Sequence, residues 1–480
     1  MTGAEARRPD YDLIVLGAGP AGENVADYAT QHGVRAAIVE SELVGGECSY
    51  WACMPSKALL RSGHAIRAAR RLAGAREAVG GAVDAAAVLA RRTSFTSDWK
   101  DDGQVAWLDS AGIDLIRGRG RIAGTGLVRV DDRVYSARAV ALATGSVPIL
   151  PDIPGLAAAA PWGTREATAA DHVPARLVVI GGGVAGVELA FAFASLGSRV
   201  TLLARTGLLD REEPFVGDHL AAALAEEGVD VRLGVTPARV DRDTDGLVTV
   251  VLDDGTRLVA EELLSATGGR PNTDDLGLES VGLDPGAGLT VDETMLVDGT
   301  DWLYAVGDVN GRALLTHQGK YQARAAGEAI AARLQGRPVA DELWGRHAAS
   351  ADQLAVPRVV FSDPEVASVG LSEARARERG LHVRAVEYDL GQVAGAALHA
   401  DDYAGRAKLV VDEDRGVIVG ATFVGQDVAE LLHAATIAIV GEVTIERLWH
   451  AVPAYPTISE IWLRLLETYG RPPGRRPLDA

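Results

Sequence analysis

The sequence predicts an α/β fold carrying two copies of one Rossmann-like unit, and three observations predict it. Residues 12–16, a short run of β-branched residues and leucine, end in Gly17-Ala18-Gly19-Pro20-Ala21-Gly22 and lead into a helix-like stretch to Gln31. Residues 177–180, the turn Gly181-Gly182-Gly183-Val184-Ala185-Gly186 and a helix over 187–196 repeat that order. A constant offset of 164 maps Gly17, Gly19, Gly22, Gly33 and Arg35 onto Gly181, Gly183, Gly186, Gly197 and Arg199, which chance seldom produces.

Length and charge bound the rest. A chain of 480 residues has room for about three domains and a large core without staples. Its net charge of −19 repels phosphate backbones, so neither nucleic acid nor an anionic membrane is expected as a partner. The apolar run at 11–16 breaks at Gly17, too short for a signal peptide, with Arg7 and Arg8 read as a solvated tail. Residues 177–197 reach membrane length, but Gly181, Gly182, Gly183 and Glu188 interrupt them, so strand, turn and helix explain them better. With two cysteines there is no disulfide framework, and a reducing cytoplasm fits best.

In the first unit the glycines allow a tight turn and close approach of a pyrophosphate, which then sits on a helix N-terminus. A second strand at 35–39 ends on Glu40, eighteen residues past Gly22, where a carboxylate can accept ribose hydroxyls. Two such units imply two dinucleotides. In the second copy Glu40 maps onto Ala204, followed by Arg205. Loss of the carboxylate beside a new guanidinium is the change expected for a 2′-phosphate, so NADPH is expected over NADH, with NADH possible and a plain surface arginine as the alternative.

Between the first two strands and the rest lies Gly45-Gly46-Glu47-Cys48-Ser49-Tyr50-Trp51-Ala52-Cys53-Met54-Pro55-Ser56-Lys57. Cys48 and Cys53 are the only cysteines, and a gap of four residues is short enough for one helical turn to bring the sulfurs together. Three readings stay open on these residues alone: a reversible disulfide, two buried structural thiols, or half of a metal site. Zinc needs about four ligands and no second Cys/His cluster supplies them, so no metal is expected.

Taken in order, these motifs resemble the FAD-dependent pyridine nucleotide-disulfide oxidoreductases, the family of lipoamide dehydrogenase, glutathione reductase and mercuric reductase, over almost the whole chain. Gly45, Gly46, Cys48, Cys53, Pro55, Ser56 and Lys57 match the family's redox segment in register. Ala143-Thr144-Gly145-Ser146 with Pro148 resembles the exit from the FAD domain, and Ala266-Thr267-Gly268-Gly269-Arg270-Pro271-Asn272 its counterpart after the NAD(P) domain. Ala305-Val306-Gly307-Asp308 resembles the second flavin motif, whose Asp holds the ribityl chain. The stretch 357–370 resembles the start of an α+β dimerisation domain.

The resemblance implies an FAD-binding domain at 1–150, an NAD(P)-binding domain at 151–275, a return segment at 276–345 completing the FAD and central part, a dimerisation domain at 346–470, and a tail at 471–480. It further implies a homodimer, Gly17, Gly19, Gly22, Glu40, Gly46, Thr144, Gly145 and Asp308 around FAD, and Gly181, Gly183, Gly186, Arg205 and Gly268 around the nicotinamide cofactor. Hydride would pass from NAD(P)H to FAD and the electron pair on to Cys48/Cys53, with Cys53 against the flavin and Cys48 facing the substrate. Lys57 and Glu188 match two charged positions near the flavin, a solvated helix pair being their alternative.

The chain also departs from the family. Where most members carry H-P-T-x-S-E, this chain reads Tyr455-Pro456-Thr457-Ile458-Ser459-Glu460, so Tyr455 takes the place of the acid-base His that the Glu orients. Reference pKa values for Tyr and His differ by about 3.5 units, or about 5 kcal/mol in proton affinity, so a phenol serves badly as a base near neutrality. Mercuric reductases share a tyrosine there and an Ala-Arg pair after the second strand, but they deliver metal through a C-terminal cysteine pair, and this chain has no cysteine after Cys53. His450, five residues before Tyr455, is read as a structural histidine or a substitute base. Glu47 replaces the usual Thr, and Tyr50 and Trp51 between the cysteines either shape a flat pocket or pack.

The reading is a flavoenzyme passing electrons from NADPH to a small disulfide, thiol adduct or soft metal ion. The alternatives are direct reduction of a quinone from the flavin and, against Tyr455, a lipoamide dehydrogenase.

Overall fold

The computed structural model describes residues 8–471, so Arg7 and residues 472–480 of the tail lie outside the described residues. The chain forms two compact units. The first holds the residues through Pro55, Arg92–Ile149 and Gly268–Asp352, and the second holds Ser56–Arg91, Leu150–Thr267 and the residues from Gln353 on.

The first unit is built on β1 (Tyr11–Leu16), which lies between β2 (Ala36–Glu40) and the strand Arg133–Leu142, parallel to both. Leu13, Ile14, Val15 and Leu16 are all buried. A strand covered on both faces reads as a continuous apolar run, and each such side chain contributes about 1.5–3 kcal/mol by burial. Asp114–Arg117 extends the sheet beyond β2, while Leu303–Ala305 returns from far along the chain to pair in parallel with Arg133–Leu142. α1 (Pro20–Thr30) begins with proline at its first turn, where the missing N–H costs nothing. The helix Thr316–Leu334 packs against α1 through small residues. At Gly327 an added Cβ would stand 2.8 Å from the Val25 carbonyl oxygen, so any side chain there would force the helices apart.

The second unit repeats the parallel core with Asp230–Leu233, Arg199–Ala204, Arg176–Ile180 and Glu262–Ser265 side by side. Its helix spans Val184–Ser195, starting within the glycine turn and not at residue 187 as the pattern suggested. The turn's N–H groups already enter the helix there, because Gly183 is extended and hands over directly to Val184. An antiparallel sheet of five strands, Pro357–Val360, Glu365–Gly370, Val417–Gly425, Arg406–Asp412 and Val383–Asp389, builds the C-terminal α+β part, with helices Leu432–Val440 and Ile461–Tyr469 packed on it.

Candidate functional site

Each glycine of the two turns has a distinct physical reason. Gly17 and Gly181 open the turns at φ +99° and +124°, a conformation side chains rarely adopt. A Cβ on Gly22 or Gly186 would lie 1.9 Å from the carbonyl oxygen of Gly17 or Gly181, so the turn itself requires glycine there. Gly19 and Gly183 differ: φ is −72° and −80°. A Cβ on either would meet no atom within 4 Å. Neither backbone strain nor protein packing asks for glycine at these two positions, and the open approach suits a pyrophosphate lying against the backbone. Two cradles of this shape fit two dinucleotides.

Glu40 stands at the end of β2, its Oε2 accepting the Ala18 N–H at 2.7 Å and its Oε1 the Glu42 N–H at 2.7 Å. Gly46, at φ +58°, seats the cysteine segment on the first turn, since its Cβ would lie 2.8 Å from the Gly19 Cα.

The cysteines are not joined by one continuous helical turn. α2 (Gly46–Tyr50) carries Cys48 and stops at Trp51, where φ falls to −136°, and α3 (Cys53–Arg70) starts afresh at Cys53. The break still brings the side chains together. Cys48 hydrogen-bonds Cys53, and Cys53 Sγ lies 3.3 Å from Thr316 Oγ1 at the start of the helix Thr316–Leu334. The hydrogen bond with Cys53, then burial, push the Cys48 thiol up, while Thr316 and Lys320 oppose. Tyr50 is packing and not a pocket wall: it is 1 % exposed, its hydroxyl donates to the Lys100 carbonyl at 3.3 Å, and its ring tilts against Trp51 at 5.6 Å.

Thr144 and Gly145 are locked to the second exit segment. Thr144 Oγ1 donates to the Asn272 carbonyl at 2.8 Å, Asn272 N–H to the Gly145 carbonyl at 3.0 Å, and Ser146–Pro148 pairs antiparallel with Gly269–Pro271. Gly145 and Gly268 turn at φ +72° and +103°. Ser146 Oγ donates to Asp308 Oδ2 at 3.0 Å, and burial raises the pKa of this carboxyl.

In the second unit Lys57 Nζ lies 2.7 Å from Glu188 Oε2. Glu188 is buried, its Oε1 accepts the Phe361 N–H at 2.9 Å, and Lys57 Nζ stands 4.9 Å over the Phe361 ring. The two form an ion pair in which Glu188 is buried and Lys57 is partly exposed, its Nζ also over an aromatic ring, so Glu188 at least is no solvated helix residue. Arg205 is exposed just past the strand Arg199–Ala204. Tyr455 is 76 % exposed and joined to Pro456 by a cis peptide. Glu460 is buried with Oε2 lacking a hydrogen-bond partner, and His450 is exposed.

Thr316 and Lys320, which act on the cysteine pair, escaped the sequence reading, as did Gln322, whose Oε1 accepts the Gly307 N–H at 2.8 Å. Their one sequence signal is a helix opening shortly after the Gly307-Asp308 motif. Among the described residues no group of three His, Cys, Asp or Glu side chains could hold a metal ion, and no helix is long and apolar enough to cross a membrane.

Comparison with known proteins places these features in a family. Residues 11–332 match the family model described as pyridine nucleotide-disulphide oxidoreductase, and residues 356–465 match that family's dimerisation domain. A mercuric reductase of Lysinibacillus sphaericus is 31 % identical over 460 residues, covering 94 % of this chain and 81 % of the relative. A dihydrolipoyl dehydrogenase of Chlorobaculum tepidum is 31 % identical over 474 residues, covering 96 % and 97 %. A glutathione reductase of Burkholderia cepacia is 33 % identical over 472 residues, covering 95 % and 98 %. The fold is that of the HOCl-induced flavoprotein disulfide reductase RclA from Escherichia coli in its Cu(II) complex, with TM-score 0.81 at 24 % identity, covering 96 % and 99 %.

Proposed function

The chain belongs to the pyridine nucleotide-disulphide oxidoreductases, FAD-dependent enzymes that use NAD(P)H, and from that premise we propose that it reduces a small acceptor through Cys48 and Cys53, with NADPH as the preferred electron source. The observation that carries this reading is the Cys48–Cys53 hydrogen bond, with Thr316 against Cys53. Two thiols held in contact exchange readily with a disulfide.

Gly17, Gly19, Gly22, Glu40, Gly46, Thr144, Gly145 and Asp308 would hold FAD, and Gly181, Gly183, Gly186, Arg205 and Gly268 the nicotinamide cofactor. Bound there, FAD would supply the electron transfer that links the nicotinamide to the cysteines. The chain's own residues do the rest. Cys48 is the thiol that attacks the acceptor and Cys53 the thiol that resolves the adduct, and only their thiolates are nucleophilic. Lys57, held by Glu188, keeps a positive charge on α3 one turn beyond Cys53. Tyr455 and Glu460 do not form a His-Glu couple, so they supply acceptor contacts and not the proton transfer.

The acceptor class is a disulfide, a thiol adduct or a soft metal ion; relatives named for mercury, lipoyl and glutathione chemistry match this chain about equally. In this scheme residues 1–150, completed by 276–345, form the FAD part, 151–275 the NAD(P) part and 346–470 the dimerisation part, with the working form a homodimer in the cytoplasm. Light scattering should return twice the chain mass. The decisive experiment is Cys48→Ser under anaerobic NADPH with a panel of lipoamide, low-molecular-weight disulfides, quinones and Hg(II). Disulfide turnover should fall by at least about 100-fold, since the attacking thiolate is gone. Undiminished turnover with the best acceptor would transfer the chemistry from the cysteines to the flavin, the quinone-type outcome.

A further inference from the structure

Tyr455 leaves the exchange thiol without the neutral-pH base that thiol chemistry needs. The first unit supplies charge from another direction. A cleft of about 420 Å³ is lined by Glu23 and Asn24 of α1, by Gly103, Gln104 and Trp107 of the helix Asp102–Ser110, and by Lys320 of the helix Thr316–Leu334. One wall abuts the cysteine segment, because Gln104 Nε2 would lie 3.2 Å from a Cβ on Gly45, the residue preceding α2. Lys320 is four residues after Thr316, so the two share a helix face, and Thr316 touches Cys53. Lys320 also acts electrostatically on Cys48. Glu23 lies within electrostatic reach of Tyr50 on α2, and its Oε1 is a buried oxygen with no hydrogen-bond partner.

We propose that Lys320 and Glu23, facing each other across this cleft, handle charge and proton for Cys48 in place of the missing histidine. The proposal rests on Cys48 being the exchange thiol. Lys320 favours the thiolate, and Glu23 stores the exchangeable proton. With an acceptor R–S–S–R′, the Cys48–S–SR bond forms as the R–S–S–R′ bond breaks, and R′S⁻ leaves with the proton of the Glu23 carboxyl. Cys53, its proton lost to solvent, then attacks Cys48 as the thiolate, closing the disulfide and releasing RS⁻, which takes a proton back from solvent. Two electrons leave the dithiol and the acceptor takes both. Glu23 is suited to the role by its surroundings: burial first and Glu40 second raise its carboxyl to about 7, against Lys320. The groups that act most strongly on Cys48 are Cys53, Thr316 and Lys320, and Gln104 and Trp107 add no titrating group to the cleft.

The first arm of the test needs no turnover. Protein reduced with dithiothreitol is alkylated with iodoacetamide across pH, and Cys48 and Cys53 are read separately by peptide mass spectrometry. Lys320→Met should slow Cys48 alkylation at pH 7 by about 3- to 10-fold and move its midpoint upward, Lys320→Arg should restore it, and Cys53 serves as internal reference. The second arm reads the disulfide-reduction rate against pH, where the parent is expected to show an inflection near pH 7 and Glu23→Gln to lack it. An unchanged Cys48 profile in Lys320→Met overturns the proposal, even with Cys48→Ser inactive. Full disulfide reduction by Cys48→Ser would overturn it as well, together with the thiol mechanism on which it rests.

Discussion

Four glycines separate what folding requires from what binding requires. Gly186→Ala would press a methyl group against a carbonyl oxygen 1.9 Å away, so the backbone must move, and the second unit should lose about 1–3 kcal/mol along with cofactor affinity. Gly183→Ala adds a methyl group to open space at an ordinary φ of −80°. Its thermal stability without cofactor should stay within about 0.5 kcal/mol of the parent, while the KM for NADPH rises at least about tenfold. A Gly183→Ala protein with unaltered KM would mean that no ligand approaches that turn. Arg205 is tested on the same unit: Arg205→Ala should raise the KM for NADPH by at least about tenfold and leave the NADH value nearly unchanged, since a guanidinium reads a phosphate and not a hydroxyl. Equal changes for both cofactors would return Arg205 to the status of a surface residue.

At the scale of elements, the C-terminal sheet is pinned by charge. Lys408, on the strand Arg406–Asp412, reaches Glu213 Oε2 at 2.8 Å and Glu373 Oε2 at 2.7 Å, with Lys408 and Glu213 both buried. Lys408→Met should cost about 3–5 kcal/mol by stranding the Glu213 carboxylate, and adding Glu213→Gln should recover part of the loss in a urea titration. A double variant no more stable than the single one would show that the pair is not coupled. Nothing in the sequence announces this contact, which spans 195 positions. The parallel cores were legible because glycine turns and apolar strands are local signals. The Arg406–Asp412 and Val417–Gly425 strands are buried on nearly every residue, so no alternation marks them, and only the family resemblance anticipated that part. Within the site, the spacing of Cys48 and Cys53 was legible but the helix break at Trp51 was not, and Thr316 meets Cys53 across 263 positions. Lys57 and Glu188 were flagged as residues, yet their ion pair depends on packing that brings together positions 131 apart.

Over the whole molecule, the pH dependence of stability follows from which carboxyls burial raises in spite of the cations near them. Burial raises Glu23 to about 7 and Asp352 to about 6 in the first unit, and Glu365 to about 7 in the second. A carboxyl whose folded pKa exceeds its unfolded value of about 4 binds its proton more tightly when folded. Its contribution is complete below about pH 4 and is lost as pH rises through 6 to 7. Asp363 has the opposite sign: burial would raise it, but Arg67 and Arg71 hold it below the usual range, so its contribution is lost only in acid. Between pH 5 and 8 the raised group therefore decides, and the net charge of −19 adds self-repulsion in the same direction. The apparent Tm should fall by a few degrees, on the order of 2–4 °C per kcal/mol, between pH 5.5 and 8 at constant ionic strength. Glu365→Gln keeps an oxygen to accept the Ala429 N–H at 3.0 Å while removing the titration, and combined with Glu23→Gln it should flatten that slope. A double variant with the parent's slope would show that these buried carboxyls do not set the pH response of the fold.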